Sequence, residues 1–570
     1  MGSGPTQLNR QAKRKATPQA HTYSQHDTPH TTLIRYLLTQ LKGYKLQATL
    51  NTIVGVLLVF LDLAFVWATK LAVDAATHQT QACTLNQALV LIGTIMLLRI
   101  LTSLSSRWIS AILGVKAQNR MRQHIFTKLL QGQWATLKTF HTGNLTNRLE
   151  RDVNDVVIFA TESIPSFITT FTQFVGAFFF LFFMDSTLAI IIVCVVPFFI
   201  ISSKLYFKRM RNLTHEARNE ESCIQSILQE TLQHVLIVKT LQRVDFFITK
   251  LSSQQSRLHA TILKRTKLST ISSSLLNLGF ATGYFVTFAW GATNLSKGLI
   301  TYGAMLAFIQ LVGQIQGPVR NLSKFIPVFI ASFTAAERLM ELEELPQEEQ
   351  CPPLKLTPPL QLNLTDVKFQ YTHKSRLIFN HFNYKFPAGS VTAIVGETGA
   401  GKTTLIRLLL SLVTPIEGNI VITDSQGNNY PMMPHMRTNF AYVPQGNTLF
   451  SGTIRSNLLQ GNPSATDEEL KQALHIAAAD FVFKKADGLD TICGETGDGL
   501  SEGQAQRIAI ARALLSDGNI FIFDEATSSL DPTTEEIVLQ RIITHYPHRT
   551  LIFITHRPQV LKYATQKLEL

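Results

Sequence analysis

The sequence predicts an α-helical domain of six membrane-crossing helices, followed by an α/β domain built around a P-loop. Three observations carry this reading. Apolar runs, most of them near the ~20 residues that a helix needs to cross hydrocarbon, recur through the first 340 residues. Gly396, Glu397, Thr398, Gly399, Ala400, Gly401, Lys402 and Thr403 fit G-x-x-x-x-G-K-[ST] between an apolar strand and a helical run. A continuous apolar strand, Ile520 to Phe523, ends in Asp524 and Glu525, as buried strands of parallel sheets end at ligand sites.

The bulk composition agrees. A chain of 570 residues is too long for one core, and with 45% hydrophobic and 16% charged residues it is more apolar than ordinary soluble proteins. The net charge of +13 comes mostly from Lys and Arg beside the hydrophobic runs, which suits a membrane surface and argues against nucleic acid as a partner. Five scattered cysteines show no paired or metal-ligand spacing and read as free thiols. Residues 1–30 are polar and basic without an apolar run, so a disordered tail is expected and a cleavable signal peptide is not.

Residues 31–340 form the expected membrane domain. The apolar runs lie at 46–73, 88–115, 164–183, 188–205, 271–292 and 299–311, with apolar character resuming at 325–333. The tail and the connections 116–151 and 204–267 are basic and are therefore expected in the cytoplasm, whereas 74–87, 184–187 and 294–302 are short, nearly neutral and expected outside. Both termini are then cytoplasmic, and the chain is a multi-pass protein of the cytoplasmic membrane. Helical periodicity in the two long connections extends the spanning helices beyond the membrane as stalks.

Asp62 and Arg99 interrupt the first two runs. A lone charge at that depth costs roughly 3 kcal/mol or more, so each needs a partner. The turn between the runs is centred near Gln81, about equally far from both residues, and an antiparallel hairpin therefore predicts an Asp62–Arg99 ion pair. It clamps two helices or lines a substrate path. The third and fifth runs are aromatic (Phe178, Phe179, Phe180, Phe182, Phe183; Phe280, Tyr284, Phe285, Phe288, Trp290), and most of these rings are expected against lipid or neighbouring helices. The remainder, with Gln310, Gln314 and Gln316 of the sixth, would line a cavity for an amphipathic or bulky apolar cargo.

An acidic, proline-rich linker is expected at 341–360, and the α/β domain at 361–570, opening with a strand at Gln361. In the P-loop, glycines let backbone N–H groups wrap phosphate, Lys402 reaches the β- and γ-phosphates, and the Thr403 hydroxyl is a Mg²⁺ ligand. Asp524 would hold Mg²⁺ through water, and Glu525 would polarise the water attacking the γ-phosphate. The expected cofactors are ATP and Mg²⁺.

Leu500, Ser501, Glu502, Gly503 and Gln504, running into 505–514, resemble the signature motif and helix of ATP-binding cassette (ABC) proteins. Gln445 is similar to that family's Q-loop glutamine, Ser528 to Asp531 to its D-loop, His556 to its switch histidine, and Tyr371 to the aromatic that stacks on adenine. Glu495 resembles the exporter-specific X-loop. The stretches from Thr142 to Val153 and from Gln229 to Lys239 are similar to the coupling regions of type IV exporters, and Ala304 to Phe308, Pro318 and Ala336 to Arg338 to their sixth helix and its exit.

The resemblance implies a nucleotide contacted by Tyr371, Gly396, Thr398, Gly399, Ala400, Gly401, Lys402, Thr403 and Thr404 of one subunit and by Ser501, Gly503 and Gln504 of another, with Asp531 at the joint. It implies a metal held by Thr403, Gln445 and Asp524, and catalysis by Glu525, His556 and Gln445. A homodimer is favoured, with a heterodimer open. The implied function is ATP-driven export or flipping of an amphipathic or hydrophobic lipid, drug or peptide by alternating access; the alternatives are a peptide exporter without a peptidase, or an ATP-gated channel or regulatory subunit. One departure is Glu502, which stands where the commonest signature has glycine and is expected to change the rate without abolishing it.

Overall fold

A computed structural model describes residues 36, 39, 45–79, 83–140, 142–372, 375–494 and 499–570, with the side chains of 193–208, 322–324 and 326 outside that set. The chain forms two compact units. One comprises Asp27–Phe126 with Gly143–Glu343; the other holds Thr127–Thr142 and Glu344–Leu570.

The first unit is helical. Its long elements are α1 (Lys45–Ala76), α2 (Leu85–Leu130), α4 (Ile164–Met184), α5 (Ser186–Gln233), α6 (Val244–Ser296) and α7 (Tyr302–Glu343); a four-residue helix, α3 (Trp134–Leu137), belongs to the second unit. Among the described residues, three segments are long and apolar enough to cross a membrane: Lys45–Ala76, Leu85–Leu130 and Thr142–Met184. Helices α5, α6 and α7 occupy the sequence of the other three expected crossings, and α7 runs unbroken through Pro318 and Pro327. Helices α2, α5 and α6 extend well past their apolar runs, as the periodicity predicts.

Several polar groups within this unit are paired across its helices. Arg99 Nε lies 2.7 Å from Asp62 Oδ1, the ion pair expected from the hairpin, although the N–H is not aligned for a hydrogen bond. Further along the same helices, Asn51 donates to Ser110 Oγ (2.9 Å) and accepts from Ser106 (3.0 Å). Buried Asp74 accepts from the backbone N–H of Gly303 (2.9 Å) at the start of α7. Asp185 breaks the chain between α4 and α5, caps α5 by accepting from Leu188 N (2.9 Å), and takes the Trp290 indole N–H (2.7 Å). Gln316 is buried and donates to Phe280 O at 3.2 Å, and Gln314 donates to Asp62 O at 3.4 Å. Phe179, Phe183, Phe285 and Phe288 are exposed on the unit's surface, as lipid-facing rings are.

The second unit is α/β. A four-stranded antiparallel sheet has the order β2-β1-β4-β5, from β1 (Gln361–Phe369), β2 (Phe379–Phe386), β4 (Glu417–Thr423) and β5 (Asn429–Pro431). A five-stranded parallel sheet has the order β11-β3-β10-β9-β6, from β3 (Val391–Val395), β6 (Phe440–Val443), β9 (Ile520–Asp524), β10 (Thr550–Ile554) and β11 (Gln566–Glu569); β7 (Gly452–Thr453) and β8 (Ile492–Cys493) form a short ribbon. Strands β9 and β10 are apolar on both faces because both are covered. Phe521, Phe523 and Phe553 join one core with Ile508 and Val538, while Ile520, Ile522 and Ile552 join the other with Leu405 and Phe386. Each such fully buried side chain is worth about 1.5–3 kcal/mol. The cysteines among the described side chains are free thiols; the Cys194 side chain and the expected X-loop residue Glu495 lie outside the described set.

Candidate functional site

Strand order builds the site. In a parallel sheet every strand points the same way, so the loops after adjacent strands meet at one edge. The P-loop follows β3, His556 follows β10, Asp524 ends β9 with Glu525 next, and Gln445 lies two residues past β6; these four strands are neighbours in the order β3-β10-β9-β6. The loops that carry Gly396 and Arg557, far apart in the chain, thereby face one another through register pairs such as Ile554 with Ile394 and with Asp524.

The side chains converge accordingly. Lys402 Nζ donates to Gly396 O (2.5 Å) and lies 2.7 Å from His556 Nε2. Lysine has no lone pair to offer, so His556 accepts there and carries its proton on Nδ1. His556 Nε2 stands 3.8 Å from Glu525 Oε1, and Gln445 Nε2 donates to Glu525 Oε2 at 2.7 Å. Glu525 sits at φ 49°, a left-handed conformation that costs a non-glycine residue strain and is retained at functional positions. The P-loop uses glycine where it must: Gly401 has φ 109° and a Cβ there would lie 2.8 Å from Ile378.

Asp524 is buried, and burial raises its pKa; the Tyr442 hydroxyl, donating at 3.3 Å, pulls it back down and the neighbouring Glu525 charge pushes it up again. Burial and the Asp524 charge together push the Tyr442 phenol up as well. A buried carboxylate beside a second one is short of positive charge. With the Thr403 hydroxyl at the second position of helix α8 (Lys402–Leu409) and the Gln445 amide, the set offers hard oxygen donors of the kind that suit Mg²⁺.

The signature residues form a separate group. Beyond helix α9 (Asp467–Ile476), Ser501 caps helix α10 (Glu502–Leu514) in a reciprocal capping box with Gln504. Gln506 clasps the loop after β9, donating to Ser528 Oγ (3.3 Å) and accepting from Ser529 N (3.2 Å). Gly503 packs where a Cβ would meet Ser529 O at 2.8 Å. Asp531 caps the last long helix, α11 (Pro532–His545), accepting from Thr534 N at 3.0 Å, and those hydrogen bonds hold its carboxyl below the usual range. Among the described residues, no hydrogen bond or ion pair joins Ser501, Gly503 or Gln504 to Lys402, His556 or Glu525.

Tyr371, just past β1, is partly exposed; its hydroxyl lies 3.2 Å from Thr404 Oγ1 and accepts from Arg407 at 2.6 Å. Sequence reasoning did not single out Arg407, Tyr442 or Trp134. Their partners lie 36, 82 and more residues away, and no local pattern marks them. Of the stretch from Thr142 to Val153, expected as a coupling region, Gly143 onward belongs to the helical unit, where Arg148 pairs with Glu341 (2.6 Å) and donates to Arg338 O (2.9 Å). The segment that belongs to the α/β unit is Thr127–Thr142.

Comparison with known proteins agrees with this arrangement. Residues 49–319 match the ABC transporter transmembrane region and residues 379–528 the ABC transporter ATPase family model. An ATP-dependent lipid A-core flippase of Desulfotalea psychrophila is 32% identical over 445 residues, covering 76% of each chain. A Staphylococcus aureus protein named for multidrug export, with ATP-binding and permease parts in one chain, is 27% identical over 549 residues, 93% of this chain and 94% of that one. The fold matches that of a bacterial Atm1-family ABC exporter solved with ATP bound, at a TM-score of 0.76 and 24% identity, over 92% of this chain and 94% of that chain. The chain is a membrane protein that belongs to the ABC transporter family, as an exporter half-transporter with its own ATP-hydrolysing domain.

Proposed function

We propose that two copies of this chain form an exporter that moves an amphipathic lipid or drug-like molecule out of the cytoplasmic leaflet, with each ATP shared between the P-loop of one copy and the signature motif of the other. The observation that carries the shared site is the separation described above. Lys402, His556, Glu525 and Gln445 are joined in one cluster, while Ser501 and Gln504 bond each other and Gly503 packs against Ser529 in the loop after β9. One chain therefore holds both halves of a nucleotide clasp without closing them on each other.

Within that reading, the P-loop amides and Lys402 hold the β- and γ-phosphates. Thr403, Gln445 and Asp524 would hold Mg²⁺, which would supply charge neutralisation at the phosphates. Glu525 orients and deprotonates the attacking water, Gln445 steadies its carboxylate, and His556, leaving Lys402 as the phosphate arrives, contacts the γ-phosphate. Closure of the pair and its reopening after hydrolysis shift the six-helix membrane units between inward and outward states, by differential nucleotide affinity. The lipid and drug assignments of two relatives support an amphipathic cargo.

Complementation tests the shared site. Lys402→Ala and Gly503→Asp chains should each be inactive alone, because both sites of either homodimer are damaged. Mixed dimers retain one intact site and should hydrolyse ATP; mixed dimers as inert as the parents would refute the arrangement. ATP-dependent uptake of fluorescent lipid into inverted vesicles, against single-channel recording, separates pump from channel.

A further inference from the structure

Arg407 lies in the last turn of α8, the helix that opens with Lys402, and its guanidinium is bracketed by two rings. The Trp134 centroid is 4.9 Å from Arg407 Cζ and the Tyr371 centroid 5.9 Å. The same guanidinium donates to the Tyr371 hydroxyl at 2.6 Å, and Lys138 covers the Trp134 ring at 5.3 Å. Tyr371 is further fixed by Thr404 and by an edge contact with Phe369 at 5.1 Å. A ring held by its hydroxyl and one edge keeps a face open, and Tyr371 is still 44% exposed.

Trp134 is not loosely placed. The chain just before it pairs with the start of the linker: Gln133 N donates to Pro346 O and Glu348 N to Gln131 O, both at 2.9 Å. Glu348 is gripped bidentately by Arg437 (2.7 and 2.9 Å), and Arg437 also donates to Leu410 O and Ser411 O just past the end of α8, each at 2.7 Å. Two arginines therefore lock residues 131–138 to the C-terminal end of the P-loop helix, one through a salt bridge and one through an aromatic stack. Of the two, Arg407 alone touches Tyr371.

We propose that Arg407 is a positioning residue that presents the Tyr371 ring to the base of the nucleotide and ties occupancy of that ring to Trp134, so that the segment 131–138 senses the base and not only the phosphates. This rests on the reading of Tyr371 as the base-stacking ring. A stacked base extends the column Trp134, Arg407, Tyr371, and a planar guanidinium that sits over one ring while donating to the hydroxyl of the other is a geometry that a lysine ammonium cannot reproduce. Arg407 also lowers the pKa of Asp524 through its charge, which makes Arg407→Lys, with the charge kept, the informative variant.

The experiment uses the full-length protein in lipid nanodiscs, with MgATP and with Mg-tripolyphosphate as a probe that has phosphates and no base. Arg407→Lys and Trp134→Ala should raise KM for ATP by about threefold to thirtyfold, the range of a cation–π contact, with kcat at saturation and inhibition by tripolyphosphate unchanged. Trp134→Phe should restore most of the affinity. The Trp134 emission, read as wild type minus Trp134→Phe, should respond to ATP and not to tripolyphosphate. If Tyr371→Ala leaves KM unmoved, the base-stacking reading itself fails. If Tyr371→Ala weakens ATP while Arg407→Lys and Trp134→Ala do not, only the proposal for Arg407 fails. Equal weakening of ATP and tripolyphosphate would reduce Arg407 to a prop for the P-loop helix and overturn the proposal.

Discussion

The helical unit and the nucleotide site of the α/β unit treat carboxylates in opposite ways. In the helical unit Asp62 is matched by Arg99, Asp74 by a backbone N–H and Asp185 by Trp290 and a helix cap; acids there are neutralised or satisfied by the fold itself. In the α/β unit Asp524 and Glu525 stand side by side at a strand end, with burial and mutual repulsion raising the Asp524 pKa. The same residue type is a clamp in one place and an unfinished site in the other. Low dielectric explains both, because it punishes an unpaired charge and makes a pair of like charges demand a cation from outside.

The sharpest way to break this contrast is at Glu525. Glu525→Gln keeps size and the Gln445 contact but removes the base, so steady-state hydrolysis should fall by about 10²–10⁴ while ATP still binds; retained turnover in a phosphate-release assay would place Glu525 with the structural acids. Next in size is the membrane clamp. Asp62→Ala or Arg99→Ala leaves an uncompensated charge and should cost about 3–5 kcal/mol, read as a lower unfolding temperature in detergent. The exchanged pair Asp62→Arg with Arg99→Asp should recover most of it. Single variants as stable as wild type would mean that the pair is not a clamp.

Smaller effects sharpen the comparison. Tyr442→Phe deletes the hydrogen bond that lowers Asp524, so the carboxyl should hold its proton to higher pH. The acid limb of Mg²⁺-dependent hydrolysis should then move to higher pH; an unmoved limb would show that Asp524 does not set it. Smallest is Glu502→Gly. Removing an exposed negative charge from the N-terminus of α10 should tighten ATP-driven association by about two- to fivefold, given ~0.3–1 kcal/mol for a charge at a helix end, measured as KM for hydrolysis.

The Asp62–Arg99 pair was legible in the sequence because a helical hairpin converts separation along the chain into depth: two charges equidistant from a turn must meet. Strand β1 was likewise legible, since its alternation starts at Gln361, where the ladder with Phe386 and Thr423 begins. The Asn51–Ser106–Ser110 clamp was not, because a single Asn among apolar residues has many candidate partners. Nor was the placement of Thr127–Thr142, since the expected coupling stretch lay a few residues further along and neither segment carries a hydrophobic period that assigns it to a core.

What the sequence determined by itself was the chemistry that is local in the chain: apolar runs of membrane length, the P-loop, the paired acids and the signature motif, each readable because backbone geometry and residue type within a few positions fix what the segment can do. Tertiary structure alone decided which distant side chains meet. The order β3-β10-β9-β6 brings Lys402, His556, Glu525 and Gln445 together, and the packing of residues 131–138 on α8 sets Trp134 against Arg407. Those contacts depend on sheet order and on the packing of two cores, and neither is written in any one stretch of residues.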